Sequence, residues 1–247
     1  MTALRCLIFN FLFYLVWTPF VCISMLPALL MPRGCAVWVS WLYQKGAHIL
    51  EKYILGLDYE IRGEQYRPAP GTSCLIGCKH ESAYETMKLY LLFNDPAIIL
   101  KKELLSLPLF GWFLKKVGTI AIDRGNRADA VNSLFTGAHR VKDQKRPIVI
   151  FPQGTRVTID TSTEQKPYKN GIGKLYVELN MPIVPVAINS GVFWPKNAFW
   201  KKPGKAVFEF LPPIEPGLSL ADVMKKLEST IEPASKRLAE EALANMK

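Results

Sequence analysis

Residues 73–87 read SCLIGCKHESAYETM. An apolar run, Ser73 to Cys78, meets a polar cluster, Lys79 to Glu85, with no spacer between them. A short apolar run bounded in this way reads as a buried strand. Ser82 and Glu85 then have the Ser-x-x-Glu spacing of a helix start. Strand, polar junction and helix in that order is the unit of an α/β protein, whose ligands gather beyond the carboxyl ends of the strands. His80 stands at this junction. An imidazole titrates near neutral pH and serves as a general base when a partner holds its other nitrogen. Glu85 lies about one turn onward and is the candidate partner. Glu81 points elsewhere if the following residues are helical. The competing reading makes Ser82 the cap and Glu85 its reciprocal partner, with His80 incidental. The spacing alone favours neither.

The same texture recurs outward from this stretch. Strand candidates are Tyr59 to Gly63, Ser73 to Cys78, Ala97 to Leu100, Thr119 to Asp123, Pro147 to Phe151, Pro182 to Ile188 and Ala206 to Leu211, each bounded by Gly, Pro or polar residues. Helical candidates are Ser82 to Phe93, Leu104 to Val117, Arg127 to Lys142, Gly171 to Leu179 and Leu220 to Ala244. The alternation predicts an α/β domain with a central, largely parallel or mixed sheet flanked by helices. The polar segment TRVTIDTSTEQKPYKNG reads as a mobile active-site or surface loop.

Two further polar clusters follow strands directly. RGNR, with Arg124 and Arg127, follows TIAID; PQGTR, with Gln153, Gly154, Thr155 and Arg156, follows PIVIF. If the three strands are parallel, His80, Arg124 and Arg156 share one edge of the sheet. Arginine grips phosphate through a planar fork of donors, although a lone DRGNR also reads as a solvated turn. In FPQGTR, Pro152 and Gly154 set a tight turn, while Gly154, Thr155 and Arg156 offer donors and charge for a phosphate or carbonyl. The P-loop pattern is absent.

The chain has 247 residues, 49% of them hydrophobic, and a net charge of +10. That excludes a disordered chain and suits an anionic partner. Nucleic acid fits the charge but not the apolar first segment. Five cysteines without a CxxC pair or a Cys/His cluster argue for free thiols, not a disulfide framework or a metal site. Cys6 to Met31 is almost wholly apolar and bracketed by Arg5 and Arg33. It is long enough to cross a bilayer, but Pro19 and Pro27 interrupt a straight helix. A kinked span, a hairpin immersed in one leaflet and a cleaved signal all remain open. Trp38, Trp41, Leu42, Ile49 and Leu50 then recur at helical spacing among charges. They form an interfacial helix or one packed on the core, and His48 within it reads as structural. The expected division is an N-terminal membrane-anchoring segment, 1–56, and an α/β domain, 57–247. Trp194, Phe199 and Trp200, among lysines, read as an interfacial loop or as core packing.

Taken together, His80 to Glu85, GTIAIDRGNR, FPQGTR and MPIVPVAINSG resemble, in order, the four blocks of the PlsC-like lysophosphatidic acid acyltransferases. Two positions depart from that pattern. Glu85 stands where the family usually has Asp, and Gln153 where it usually has Glu, so Gln153 cannot act as acid or base. The resemblance implies acyl transfer from acyl-CoA or acyl-carrier protein to the 2-hydroxyl of lysophosphatidate, without cofactor, metal or covalent acyl-enzyme. It implies His80 as base, Glu85 as its orienter, and Arg124 and Arg156 on the acceptor phosphate. Gln153, Gly154, Thr155 and Pro185 would shape the substrate site. It further implies a phospholipid membrane as partner and a place on the cytoplasmic face of a bacterial inner membrane. Another lysolipid acceptor, such as an ornithine lipid precursor, and an inactive lipid-binding protein of the same fold are the rival readings.

Overall fold

The computed structural model describes residues 2–123 and 127–246, the side chains of 127–129 excepted. Seven strands form one sheet: β1 (Leu57–Arg62), β2 (Leu75–Cys78), β3 (Ala97–Lys101), β4 (Ile120–Ile122), β5 (Ile148–Ile150), β6 (Ile183–Ile188) and β7 (Gly204–Phe210). Their order is β1-β7-β6-β2-β5-β3-β4. Only β6 and β7 pair antiparallel, so the sheet is mixed. The fold class expected from the alternation is what forms.

Alternate residues of the central strands face opposite layers. Leu75, Ile148, Ile150 and Ile183 join one core, with Ile172, Leu175, Leu227 and Ile231. The helices of that layer are α6 (Arg127–Asp143), α7 (Gly171–Leu179) and α9 (Leu220–Ala244). Ile76, Cys78, Val149, Val184, Val186 and Ile188 face the other core. There they meet Cys6, Phe9, Phe13, Ala47 and Leu55, all from the first 56 residues. The N-terminal segment is therefore the second helical layer of the sheet.

That segment is a helical hairpin. Thr2–Leu30 runs as one helix, the only described helix long and apolar enough to cross a membrane. It comprises α1 (Thr2–Asn10), π-helical turns Phe11–Trp17 and α2 (Thr18–Leu30). The wider turns fall just before Pro19, and the helix continues through Pro27. It reverses at Met31 and Pro32 into α3 (Arg33–Leu50). Arg33 anchors the reversal through two bonds to the Asp95 carboxylate, 2.7 and 2.6 Å, and two to the Val117 carbonyl, 3.2 and 2.9 Å. The buried residues of α3 are mostly small or polar: Ala36, Val39, Ser40, Gln44, Ala47 and His48. Trp38, Trp41 and Ile49 face outward and are exposed. His48 packs edge-on against Tyr59 beside Asp58 and is structural.

Two expected helices are shorter than their apolar pattern. Leu104 to Val117 divides into a 3-10 segment, Lys102–Ser106, and α5 (Phe110–Val117). Pro108 and Leu109, at φ +61°, turn the chain between them. Within 82–93 only a 3-10 turn, Thr86–Lys88, and α4 (Leu89–Leu92) are helical. The first residues are held instead by side-chain bonds to their amides, which compete with helix. The polar loop after β5 is also pinned: Tyr168 donates to Glu232 at 2.8 Å, and the Lys169 amide to the Pro152 carbonyl at 2.9 Å.

Candidate active site

β5 and β6 flank β2 and run parallel to it. Their carboxyl ends therefore share an edge. His80, Phe151 and Ser190 lie one or two residues beyond the three strand ends. β4 also ends at this edge, as expected, but three strands from β2, or about 14 Å at the usual strand spacing. Arg124 lies outside the described residues, as does the side chain of Arg127.

Glu85 is fully buried. Its Oε1 accepts from His80 Nδ1 at 2.7 Å and from the amides of Glu81 and Ser82 at 2.8 and 2.7 Å. Its Oε2 accepts from the Ser190 hydroxyl at 2.7 Å. These donors meet the lone pairs of a carboxylate that would be costly to bury unpaired. No helix starts at Ser82, so the capping reading of the Ser82–Glu85 spacing does not hold as such: one Glu85 oxygen meets both the backbone amides and the imidazole. With Nδ1 donating, Nε2 is the bare, accepting nitrogen. No hydrogen bond among the described residues occupies it. The imidazole stacks on Phe151, centroids 4.0 Å apart and planes 19° apart, which fixes the ring's tilt.

Glu81 turns away from His80. Its Oε2 accepts from the Gly191 amide at 3.0 Å, and burial pushes its carboxyl up to about 8 against the opposing pull of Lys79. Lys79 pairs with Glu232 at 2.8 Å.

The FPQGTR loop docks directly on the histidine. The Val157 amide donates to the His80 carbonyl at 2.8 Å. Gly154 closes the turn onto the Phe151 carbonyl at φ +67°, a conformation suited to glycine. The Lys169 side chain lies against it, 3.2 Å from where a Cβ would sit. Thr155 and Arg156 are half-buried beside it. Arg156 pairs with no carboxylate among the described residues, and its charge reaches the Tyr14 hydroxyl of the N-terminal helix. Gln153 faces inward, and its Nε2 donates to the Lys166 carbonyl at 3.2 Å. A carboxylate has no hydrogen to give that carbonyl, so the amide suits this place.

Pro185 lies inside β6, buried and in register with Gly77, short of the open edge. The ladder with β7 stops at Val186, so the missing N–H costs no strand pairing there. Two residues at the edge were not singled out by the sequence. Phe151 had a signal, as the first residue beyond a strand adjoining β2. Ser190 had only its place after β6, within MPIVPVAINSG, and nothing that named its partner, 105 residues away.

The strand ends of this α/β sheet thus carry a histidine held through Nδ1 by a buried carboxylate. Residues 58–189 match the family model described as Acyltransferase, and the chain belongs to that family. It is 34% identical over 155 residues to a 1-acyl-sn-glycerol-3-phosphate acyltransferase of Pseudomonas aeruginosa, covering 63% of this chain and 58% of that protein. It is 30% identical over 178 residues to the Saccharomyces cerevisiae protein of the same name, covering 71% of this chain and 57% of that one. The alignments thus span less than two thirds of either relative. The crystal structure of the 1-acyl-sn-glycerophosphate acyltransferase PlsC from Thermotoga maritima shares the fold, with a TM-score of 0.76, 20% identity and 97% of each chain covered.

Proposed function

We propose that this protein moves an acyl chain from acyl-CoA or acyl-carrier protein to the 2-hydroxyl of lysophosphatidate, giving phosphatidate. The observation that carries the reading is the open Nε2 of His80, backed through Nδ1 by buried Glu85. Nε2 takes the acceptor's hydroxyl proton as its oxygen attacks the thioester carbonyl. A C–O bond forms, the C–S bond breaks, and the imidazolium returns its proton to the leaving sulfur. Glu85 stabilises the imidazolium and holds the ring. The thioester supplies the activation, so the scheme calls for no further cofactor.

Arg156, without a carboxylate partner among the described residues, suits the acceptor phosphate, and Arg124 is proposed to assist it. Gly154 and Thr155 shape the turn beside it. The acceptor resides in a membrane, and the protein is proposed to meet that membrane with its hairpin. Phe20, Ile23, Leu26, Leu30, Trp38 and Trp41 are exposed there, whereas Cys6, Phe9 and Phe13 pack on the sheet. That division supports a hairpin lying in one leaflet; a bacterial inner membrane, met on its cytoplasmic face, is the proposed site.

Purified protein in detergent micelles, given both donor types and a panel of lysolipids, tests the reading. Lysophosphatidate should be the preferred acceptor, and phosphate-free monoacylglycerol a poor one. Arg156→Lys should raise the KM for lysophosphatidate while changing monoacylglycerol little, because an ammonium does not reproduce a bidentate fork. Preference for a phosphate-free acceptor would overturn the assignment.

A further inference from the structure

We propose that Ser190 is a positioning residue for the His80–Glu85 pair; the role rests on the acyl-transfer reading above. The Ser190 side chain is buried, and its hydroxyl donates to Glu85 Oε2 at 2.7 Å. That is the opposite oxygen from the one facing His80. The bond gives the carboxylate a second fixed point, so its plane cannot turn without breaking a hydrogen bond at one end or the other.

The need for such a point follows from the residue at position 85. A glutamate carries one more rotatable bond than an aspartate, and its terminal torsion is broad. The Glu81 and Ser82 amides hold only Oε1. Oε2 has Ser190.

The turn that carries Ser190 is itself held. Asn189 donates to the Leu238 carbonyl at 2.9 Å and accepts from the Val207 amide at 2.8 Å. The next residue, Gly191, gives its amide to Glu81 at 3.0 Å. Asn189, Ser190 and Gly191 thus anchor the turn to α9 and β7 and grip both glutamates that flank the histidine. Ser190 opens the short helix α8 (Ser190–Phe193), whose N-cap makes no side-chain capping bond. Capping therefore does not account for the hydroxyl.

The test uses the full chain in detergent micelles. Ser190→Ala should lower kcat by about 10- to 100-fold, the factor attached to a hydrogen bond with a charged group. The acceptor KM should stay within about twofold, since the residue touches no substrate. Ser190→Thr, which keeps the hydroxyl, should recover most of the loss. In a Glu85→Gln background, Ser190→Ala should cost less than about threefold more, because the two act as a unit. Wild-type kcat in Ser190→Ala, or an equal loss in both backgrounds, overturns the proposal. If Ser190→Ala does not fold, Ser190→Cys, of similar size but a weak donor, must show the same kcat-only loss.

A second readout is independent of turnover. The chain has three histidines, so the His80 ring nitrogens are assignable by NMR. Wild type should show one tautomer, protonated at Nδ1, and Ser190→Ala a mixture. An unchanged His80 spectrum in Ser190→Ala overturns the positioning role. A wild type that acylates no lysolipid, yet shows the tautomer change, sinks the acyl-transfer reading and leaves the positioning standing.

Discussion

His80 divides its work between two nitrogens, one held and one open. Replacing it by alanine should lower turnover by about 10²–10⁴-fold, the usual contribution of a general base. Stability should change little, because the ring sits at a loop edge; steady-state kinetics and a thermal melt check both. Glu85→Gln separates its two duties. The amide oxygen can still accept from the Glu81 and Ser82 amides, so the fold should persist, while the charge facing the imidazolium is lost. Turnover should fall well beyond tenfold, and Glu85→Asp should retain more activity than Glu85→Gln; a silent Glu85→Gln would reduce the residue to a backbone brace. His48 makes a different statement. Burial, with Lys88 nearby, pushes it down to about 4. In the unfolded chain it titrates near 6.5, so between these values the unfolded state binds the extra proton. Acid therefore favours unfolding through this residue, and stability present above about pH 6.5 is lost towards pH 4. Denaturant melts should show wild type losing stability relative to His48→Gln across that window, and parallel curves would remove the effect.

Among the elements, the chain approaches β7 tightly just beyond the end of β1. Gly63 turns the chain at φ +68°, and a Cβ there would stand 2.0 Å from the Phe210 carbonyl oxygen. Gly63→Ala should cost at least about 1–3 kcal/mol, the toll of a strained left-handed residue, before β1 shifts to relieve the clash. Chemical denaturation in detergent measures it, and an unchanged midpoint would mean the turn relaxes freely. Elements such as β2 and β6 were legible because strands buried on both faces read as continuous apolar runs between turn residues. The parallel strands did bring FPQGTR beside His80. The 82–93 stretch was misread as helix because apolar spacing reports which side chains are buried, not which backbone amides a side chain has taken. The partner of Ser190 was invisible for a related reason: sequence distance hides a bond that only the order β6-β2 creates. α3 was read as amphipathic from Trp38, Trp41 and Ile49, but these residues are exposed while Gln44 and His48 point inward. Gln44 earns that place by bonding the Tyr90 amide at 2.8 Å and the Thr86 carbonyl at 3.1 Å, partners that periodicity does not reveal.

At the scale of the whole molecule, the helical hairpin serves two surfaces. One face completes the core against the sheet; the other exposes Phe20, Ile23, Leu26 and Leu30. If that outer face sits in a bilayer, high salt should not release the protein, because screening weakens charge attraction and leaves apolar burial intact. Salt washes and detergent extraction of membranes distinguish the cases; quantitative release by salt would mean the attachment rests on the +10 charge alone. Deleting residues 2–30 should leave the remainder insoluble even in mild detergent, since it uncovers the sheet face that Phe9 and Phe13 now fill. The same packing sets a schedule for synthesis. Cys6 bonds the Lys201 carbonyl 195 residues further on, and Phe9 packs edge-on against Trp194. At ordinary translation rates of about 5–20 residues per second, about ten to forty seconds separate the making of these partners. Through that interval the helix has no sheet to lean on, so it docks late, and whatever shelters its apolar faces in the meantime decides whether the protein is assembled or lost.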